Sequence, residues 1–211
     1  MKKIFSGLSI ISVFFFCHAL KAQSIYEGIG YASETIISLK SCGHKLNDVQ
    51  LVDSLYSRVL NFYDGDVSET MLALTLACLP FNKINVRFLF GSRLIIPLPS
   101  PSDSIFNERT ASLPSELFYD SPESEFGDKD KLSHFFGNAF IAYNFGRFNL
   151  SDFIGIFVEN IEQELFVEGD YSFKDILVNG LGKLYGYNLR SNKSLMPSDF
   201  LNFYHFLFMR F

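Results

Sequence analysis

The sequence predicts a mainly α-helical bundle with one small β-hairpin in its first half. Three observations predict it. Apolar residues recur at the three-and-four spacing of a helical face in four separate stretches, at 52–63, 132–143, 153–165 and 176–185. Capping residues and helix breakers stand at the expected offsets from these stretches. The period changes only around Gly91-Ser92, where two short β-rich runs face each other across a turn signal.

The chain opens with residues 1–22, which have the three parts of a secretory signal peptide. Lys2 and Lys3 form a positive start, Ile4 to Phe16 an uncharged apolar run, and His18 to Ala22 a more polar stretch ending in a small residue. Cleavage is expected between Ala22 and Gln23, which places the mature chain in the periplasm or cell envelope. The alternative is an uncleaved anchor, but the apolar run is shorter than the roughly 20 residues of a span. Lipidation of Cys17 is a further alternative. Phe14, Phe15 and Phe16 stand where a lipoprotein signal needs a small residue.

Removing 22 of 211 residues leaves 189, enough for one domain with a sizeable core. The segment removed carries Lys2, Lys3 and Lys21 and no acid, so the formal charge falls from −5 to −8. An acidic chain without clustered Lys and Arg is not expected to bind nucleic acid. Two cysteines remain, Cys42 and Cys78. They could pair in an oxidising compartment, or Cys78 could be a buried thiol on a helix. No CxxC motif suggests redox or zinc chemistry, and no cofactor is expected. The 25 Phe and absent Trp fit either a large aromatic core or an apolar surface against a membrane.

Residues 23–98 are expected to form a helical region with the hairpin. Residues 24–41 read as a weakly patterned helix. Residues 47–63 read as a second, with Asn47 and Gln50 at capping-box spacing, the face Val52, Leu55, Tyr56, Val59, Leu60 and Tyr63, and Asp64-Gly65 as its stop. Asp66 and Glu69 can cap a third helix, running through Leu72 to Leu79 and ending at Pro80. Lys83–Leu89 and Arg93–Leu98 supply the hairpin strands. Residues 99–129, rich in Ser, Pro, Asp and Glu, read as a long surface loop or linker.

Residues 130–211 read as a helical block. Each of its first three helices carries a polar or small stripe beside its apolar face. The first stripe holds Asp130, Lys131, His134 and Asn138; the second Gly155, Glu159 and Glu162; the third Asp175, Asn179, Gly182 and Gly186. Residues three or four apart are neighbours on a helix. If the stripes face one another, an imidazole, carboxylates and an amide meet inside the bundle. His134 could then act as a base oriented by Glu159 or Asp175, the three candidate catalytic residues. The same groups could hold a divalent metal. The structural alternative makes His134 a hydrogen-bonded core residue, buried between the helices with Glu159, Glu162 or Asp175 as partner. It makes Asp175 an N-terminal cap, and Gly182 and Gly186 sites of close helix packing. No nucleophile motif accompanies the set.

The stretch from Asp128 to Tyr187 reads DKDKLSHFFGNAFIAY, then an acidic VENIEQELF, then DYSFKDILVNGLGKLYGY. The order Asp130-Lys131-x-x-His134, a glutamate helix, then Asp175-x-x-x-Asn179-x-x-Gly182-x-x-x-Gly186 resembles small exported bacterial proteins of the YfiM type. It is similar, more distantly, to the VanZ-like family. The resemblance implies a compact helical bundle in the cell envelope. It also implies that Asp130, Lys131, His134, Glu159 or Glu162, Asp175 and Asn179 belong together. It implies no reaction, and residues 24–127 have no part in it.

Two readings of function follow. The first is a non-catalytic envelope module with a buried polar network, binding another envelope protein or a membrane surface. The second is a hydrolase or metal-dependent enzyme built on His134, Glu159 or Glu162, and Asp175. The aromatic stretch Phe203 to Phe211 ends in Phe as outer-membrane barrel strands do. The helical blocks argue against a barrel, and the stretch is expected to pack on the core or rest at a membrane surface.

Overall fold

The computed structural model describes residues 24–41, 47–87, 93–145 and 173–206. The expected signal peptide, Cys42, the hairpin tip and the expected 153–165 helix lie outside them. The fold is a mainly α bundle of seven helices among the described residues, with one two-stranded hairpin.

Helix α1 (Ile25–Ser41) buries Ile29, Ala32, Ile36 and Leu39 along one face. Helix α2 (Asp48–Phe62) opens on a full capping box. The Asn47 side chain accepts the Gln50 N–H at 2.9 Å, and the Gln50 side chain accepts the Asn47 N–H at 3.1 Å. Asp64 and Gly65 stop it with φ of 52° and 86°, the left-handed turn that Gly allows most cheaply. Helix α3 (Val67–Ala77) starts directly after its cap, Asp66, whose carboxylate accepts the Glu69 N–H at 3.0 Å. The start is the one the Asp66 and Glu69 spacing predicts, and the helix ends two residues before the expected Leu79.

Strands β1 (Lys83–Arg87) and β2 (Arg93–Pro97) pair antiparallel, with Lys83 opposite Pro97 and Arg87 opposite Arg93. The segment 99–129 is not a plain loop. It contains helix α4 (Asp103–Ser112), packed on α1, and it buries Arg109, Leu113, Leu117, Phe118 and Asp128. The helix was hidden because its apolar residues form no stripe. Arg109 is its only buried residue, and Ser102, at the cap position, makes no capping bond.

Helices α5 (Lys131–Phe145), α6 (Phe173–Leu189) and α7 (Pro197–Phe206) complete the bundle. Helix α1 packs on α2, α3 and α4; α3 packs on α5; α5 packs on α6; and α7 bridges α2 and α6. One continuous core runs through the six helices other than α4, from Ile29 and Val52 through Met71 and Leu74 to Phe135, Tyr185 and Tyr204. Tyr185 stacks on Phe135 at 5.3 Å and meets Tyr56 edge-on at 5.9 Å, joining α5, α6 and α2. Cys78 is a free thiol, fully buried at the end of α3. Among the described residues no helix is long and apolar enough to cross a membrane.

Candidate functional site

Helices α5 and α6 run parallel. Lys131 meets Asp175, Asn138 meets Asn179, and a Cβ at Gly182 or Gly186 would stand 2.2 Å from the Phe135 carbonyl oxygen or 2.1 Å from that of Ala139. Only glycine permits this approach of helix to backbone. Parallel alignment sets two positive helix ends side by side. Asp130, just before α5, and Asp175, in the first turn of α6, put a negative charge at each.

Lys131 lies between those carboxylates. Its ammonium is 2.7 Å from Asp130 Oδ2 and 2.7 Å from Asp175 Oδ1, and the residue is 8% exposed. The bond to Asp130 has hydrogen-bond geometry; the Asp175 contact is a close charge contact outside it. Burial works against the Lys131 charge, but the two aspartates outweigh it and hold the ammonium above the usual lysine range. Asp130 Oδ1 is buried and accepts no hydrogen bond among the described residues.

His134 is half-buried beside this pair. One ligand atom each from Asp130, His134 and Asp175 lies within 4.8 Å of the other two. The expectation of a fully buried imidazole, and of Asp175 as its hydrogen-bond partner, needs correction; the bond expected first, to Glu159 or Glu162, falls outside the described residues. His134 stays partly open, and its ring makes no hydrogen bond among the described residues, because Lys131 already occupies the space between the aspartates. One turn on, the Asn138 amide donates to the His134 carbonyl at 2.9 Å and to Asn179 Oδ1 at 2.8 Å. Asp130, Lys131, His134, Asn138, Asp175 and Asn179 thus share one seam. Glu159 and Glu162 lie outside the described residues.

A second clamp of the same design was not foreseen as such. Lys174, in the first turn of α6, lies 2.9 Å from Asp120 and 2.9 Å from Asp128, which is 0% exposed. Ser121 donates to Asp128, and the Tyr204 hydroxyl donates to Asp120 at 2.8 Å. Burial pushes the Asp120 carboxyl up, but bonds from Lys174 and Tyr204 push it further down, below the usual carboxylate range. The clamp ties α6 to the 113–130 segment and to α7. Asp128 and Lys174 stand inside the motif-bearing stretch, so a Lys-Asp pair repeated at both helix starts was the available signal.

Arg109 is the other buried charge sequence reasoning missed. It is 1% exposed, donates to the Leu79 carbonyl at 2.5 Å, and lies 4.6 Å over the Phe106 ring. It holds the turn that follows α3. An apolar crevice lined by Ile36, Leu39, Leu51 and Leu55 opens between α1 and α2; none of its lining residues belongs to the α5–α6 seam.

No family model matches this chain, and neither does any curated protein or any solved structure. The chemical reading therefore rests on the geometry. A lysine clamped by two aspartates, with an imidazole at the rim and paired amides behind, can fix two helices. With the lysine displaced, it could hold a cation.

Proposed function

We propose that this chain is a non-catalytic module of the cell envelope, exported by cleavage near Ala22, whose α5–α6 seam holds a rigid helical scaffold for a partner. The observation that carries this reading is the position of Lys131. An ammonium 2.7 Å from each carboxylate supplies the positive charge that a metal or a proton-transfer reaction would otherwise bring. The resemblance of residues 128–187 to YfiM-type and VanZ-like proteins supports the envelope setting, as does the signal-like start. The mass of the chain after expression in a Gram-negative host tests the export step. A chain beginning at Gln23 without lipid is expected, and a lipid on Cys17 refutes it.

A second reading is a divalent-metal-dependent hydrolase using His134, Asp175 and Asp130, favoured by the 4.8 Å grouping of their ligand atoms. Thermal melts with and without zinc or manganese separate the two. Saturating metal at about 100 times its Kd would stabilise the fold by about 2.7 kcal/mol, a shift of several degrees. The scaffold reading expects a shift below about 1 °C. A metal-dependent rise that His134→Ala abolishes would refute the scaffold reading and establish the metal site on which the second depends.

A further inference from the structure

The described part of the C-terminal hairpin, α6 and α7, carries a face that the core does not use. On α6, Ile176 is 54% exposed, Leu184 54% and Tyr187 43%. The first and last lie on the outward stripe with Gly180, where an added Cβ would meet nothing within 4 Å. On α7, Phe203 and Phe206 are 54% and 60% exposed. They continue an aromatic ladder that starts in the core. Tyr185 is 5.5 Å from Phe200, Phe200 is 6.2 Å from Phe203, and Phe203 is 6.2 Å from Phe206. Large apolar side chains held out by a packed helix pair mark a contact surface.

The charge carried by these two helices bears on what they contact. The chain as a whole is acidic, at −5. Residues 173–206 reverse that sign, with four Lys and Arg against two Asp. Lys174 and Asp175 are spent in the two clamps. Lys183, Arg190 and Lys193 are exposed, and no carboxylate among the described residues pairs with them. The remaining acid, Asp199, accepts the Met196 N–H at the start of α7. Exposed Phe, Leu and Ile beside unpaired Lys and Arg are the composition of an interfacial membrane contact. Apolar rings enter the headgroup layer there while cations meet lipid phosphates.

We propose that the α6–α7 hairpin docks on an anionic lipid bilayer, with Phe203, Phe206, Leu184 and Ile176 inserted at the interface and Lys183, Arg190 and Lys193 on the headgroups. This contact is independent of the seam chemistry, so either can fail without the other.

Co-sedimentation with extruded vesicles tests it. The purified chain is expected to pellet with vesicles of phosphatidylglycerol and phosphatidylethanolamine and to bind phosphatidylcholine at least about tenfold less. Raising salt from about 0.1 M to about 0.5 M should weaken the binding. A Phe203→Ser/Phe206→Ser variant should partition at least about tenfold less than the parent. Lys183→Gln/Arg190→Gln/Lys193→Gln should lose the preference for anionic vesicles. These positions are exposed, and circular dichroism checks that helicity is kept; if the phenylalanine variant loses it, the charge variant and Ile176→Ser/Leu184→Ser on α6 carry the test. Failure to pellet with anionic vesicles overturns the proposal. So does equal binding by the correctly folded variants. A lipid-free dimer that the phenylalanine variant dissolves would also overturn it, assigning the face to a second copy of the chain.

Discussion

Replacing Lys131 by Met removes the ammonium but keeps most of the buried stem. The two carboxylates then face each other with ligand oxygens within 4.8 Å and no cation between them. At an effective dielectric of about 20 their repulsion is about 3.5 kcal/mol. The side chains of Asp130 and Asp175 are 24% and 17% exposed, so water softens part of that. Breaking a fully buried pair costs about 3–5 kcal/mol, and here the expected loss is about 2–4 kcal/mol. For a chain of this size that is a fall in melting temperature of roughly 5–12 °C. Urea unfolding followed by circular dichroism measures it. Adding Asp130→Asn and Asp175→Asn to Lys131→Met should restore most of the loss, because the uncompensated charges are gone. A loss below about 1 kcal/mol for the single variant, or no recovery in the triple variant, would refute the clamp as an energetic unit.

Other expectations follow from the same seam and core. Gly182→Ala forces a Cβ to 2.2 Å from the Phe135 carbonyl and should cost at least about 2 kcal/mol, whereas Gly180→Ala meets open space and should gain about 0.5–1 kcal/mol of helix preference. Equal stability of the two alanine variants in urea melts would contradict the close approach of the helices. The Cys78 thiol, pushed up to about 12 by burial with Arg109 opposing, should resist iodoacetamide in the native chain and react on unfolding. Labelling of the native chain within minutes would show that it is not enclosed. Asp120 is depressed in the fold, so its contribution is complete above its unfolded pKa and lost as pH falls through the folded one. Lys131 is raised, so its contribution is complete below its unfolded pKa and lost as pH rises through the folded one. Stability should therefore decline below about pH 4 and above about pH 10, and Asp120→Asn and Lys131→Met should blunt the acid and alkaline arms respectively.

What could be read in advance was local. The capping box of α2, the Asp66 cap of α3 and the two strands of the hairpin each depend on residues a few positions apart, and all three stand in the structure near the expected positions. The fold class followed from them and from the apolar stripes. Helix α4 was missed because it is held by what it touches, not by its own pattern: the helix packs on α1, Arg109 bonds to the Leu79 carbonyl just past α3, and Leu113 just past the helix enters the core. The seam was legible as a set of residues but not as an arrangement. Spacing placed Asp130, His134 and Asp175 near each other, yet it could not show that Lys131 would turn inward and take the central position from His134. The second clamp joins Asp120, Asp128, Lys174 and Tyr204, which are 84 residues apart at the extremes, so only tertiary packing assembles it.

The parallel pairing of α5 and α6 has a mechanical consequence. The Lys131 clamp, the Asn138–Asn179 amide pair and the two glycine notches are spread along the length of both helices, from Lys131 to Ala139 on α5 and from Asp175 to Gly186 on α6. A force that slides one helix along the other loads all of them at once, since each contact is directional and a displacement of one turn, about 5.4 Å, breaks them all together. A force that peels the helices apart from one end meets the contacts one after another. The pair should thus be stiff in shear and weak in peeling, and a tether attached at opposite ends of the two helices would feel a much higher rupture force than one attached at the same end.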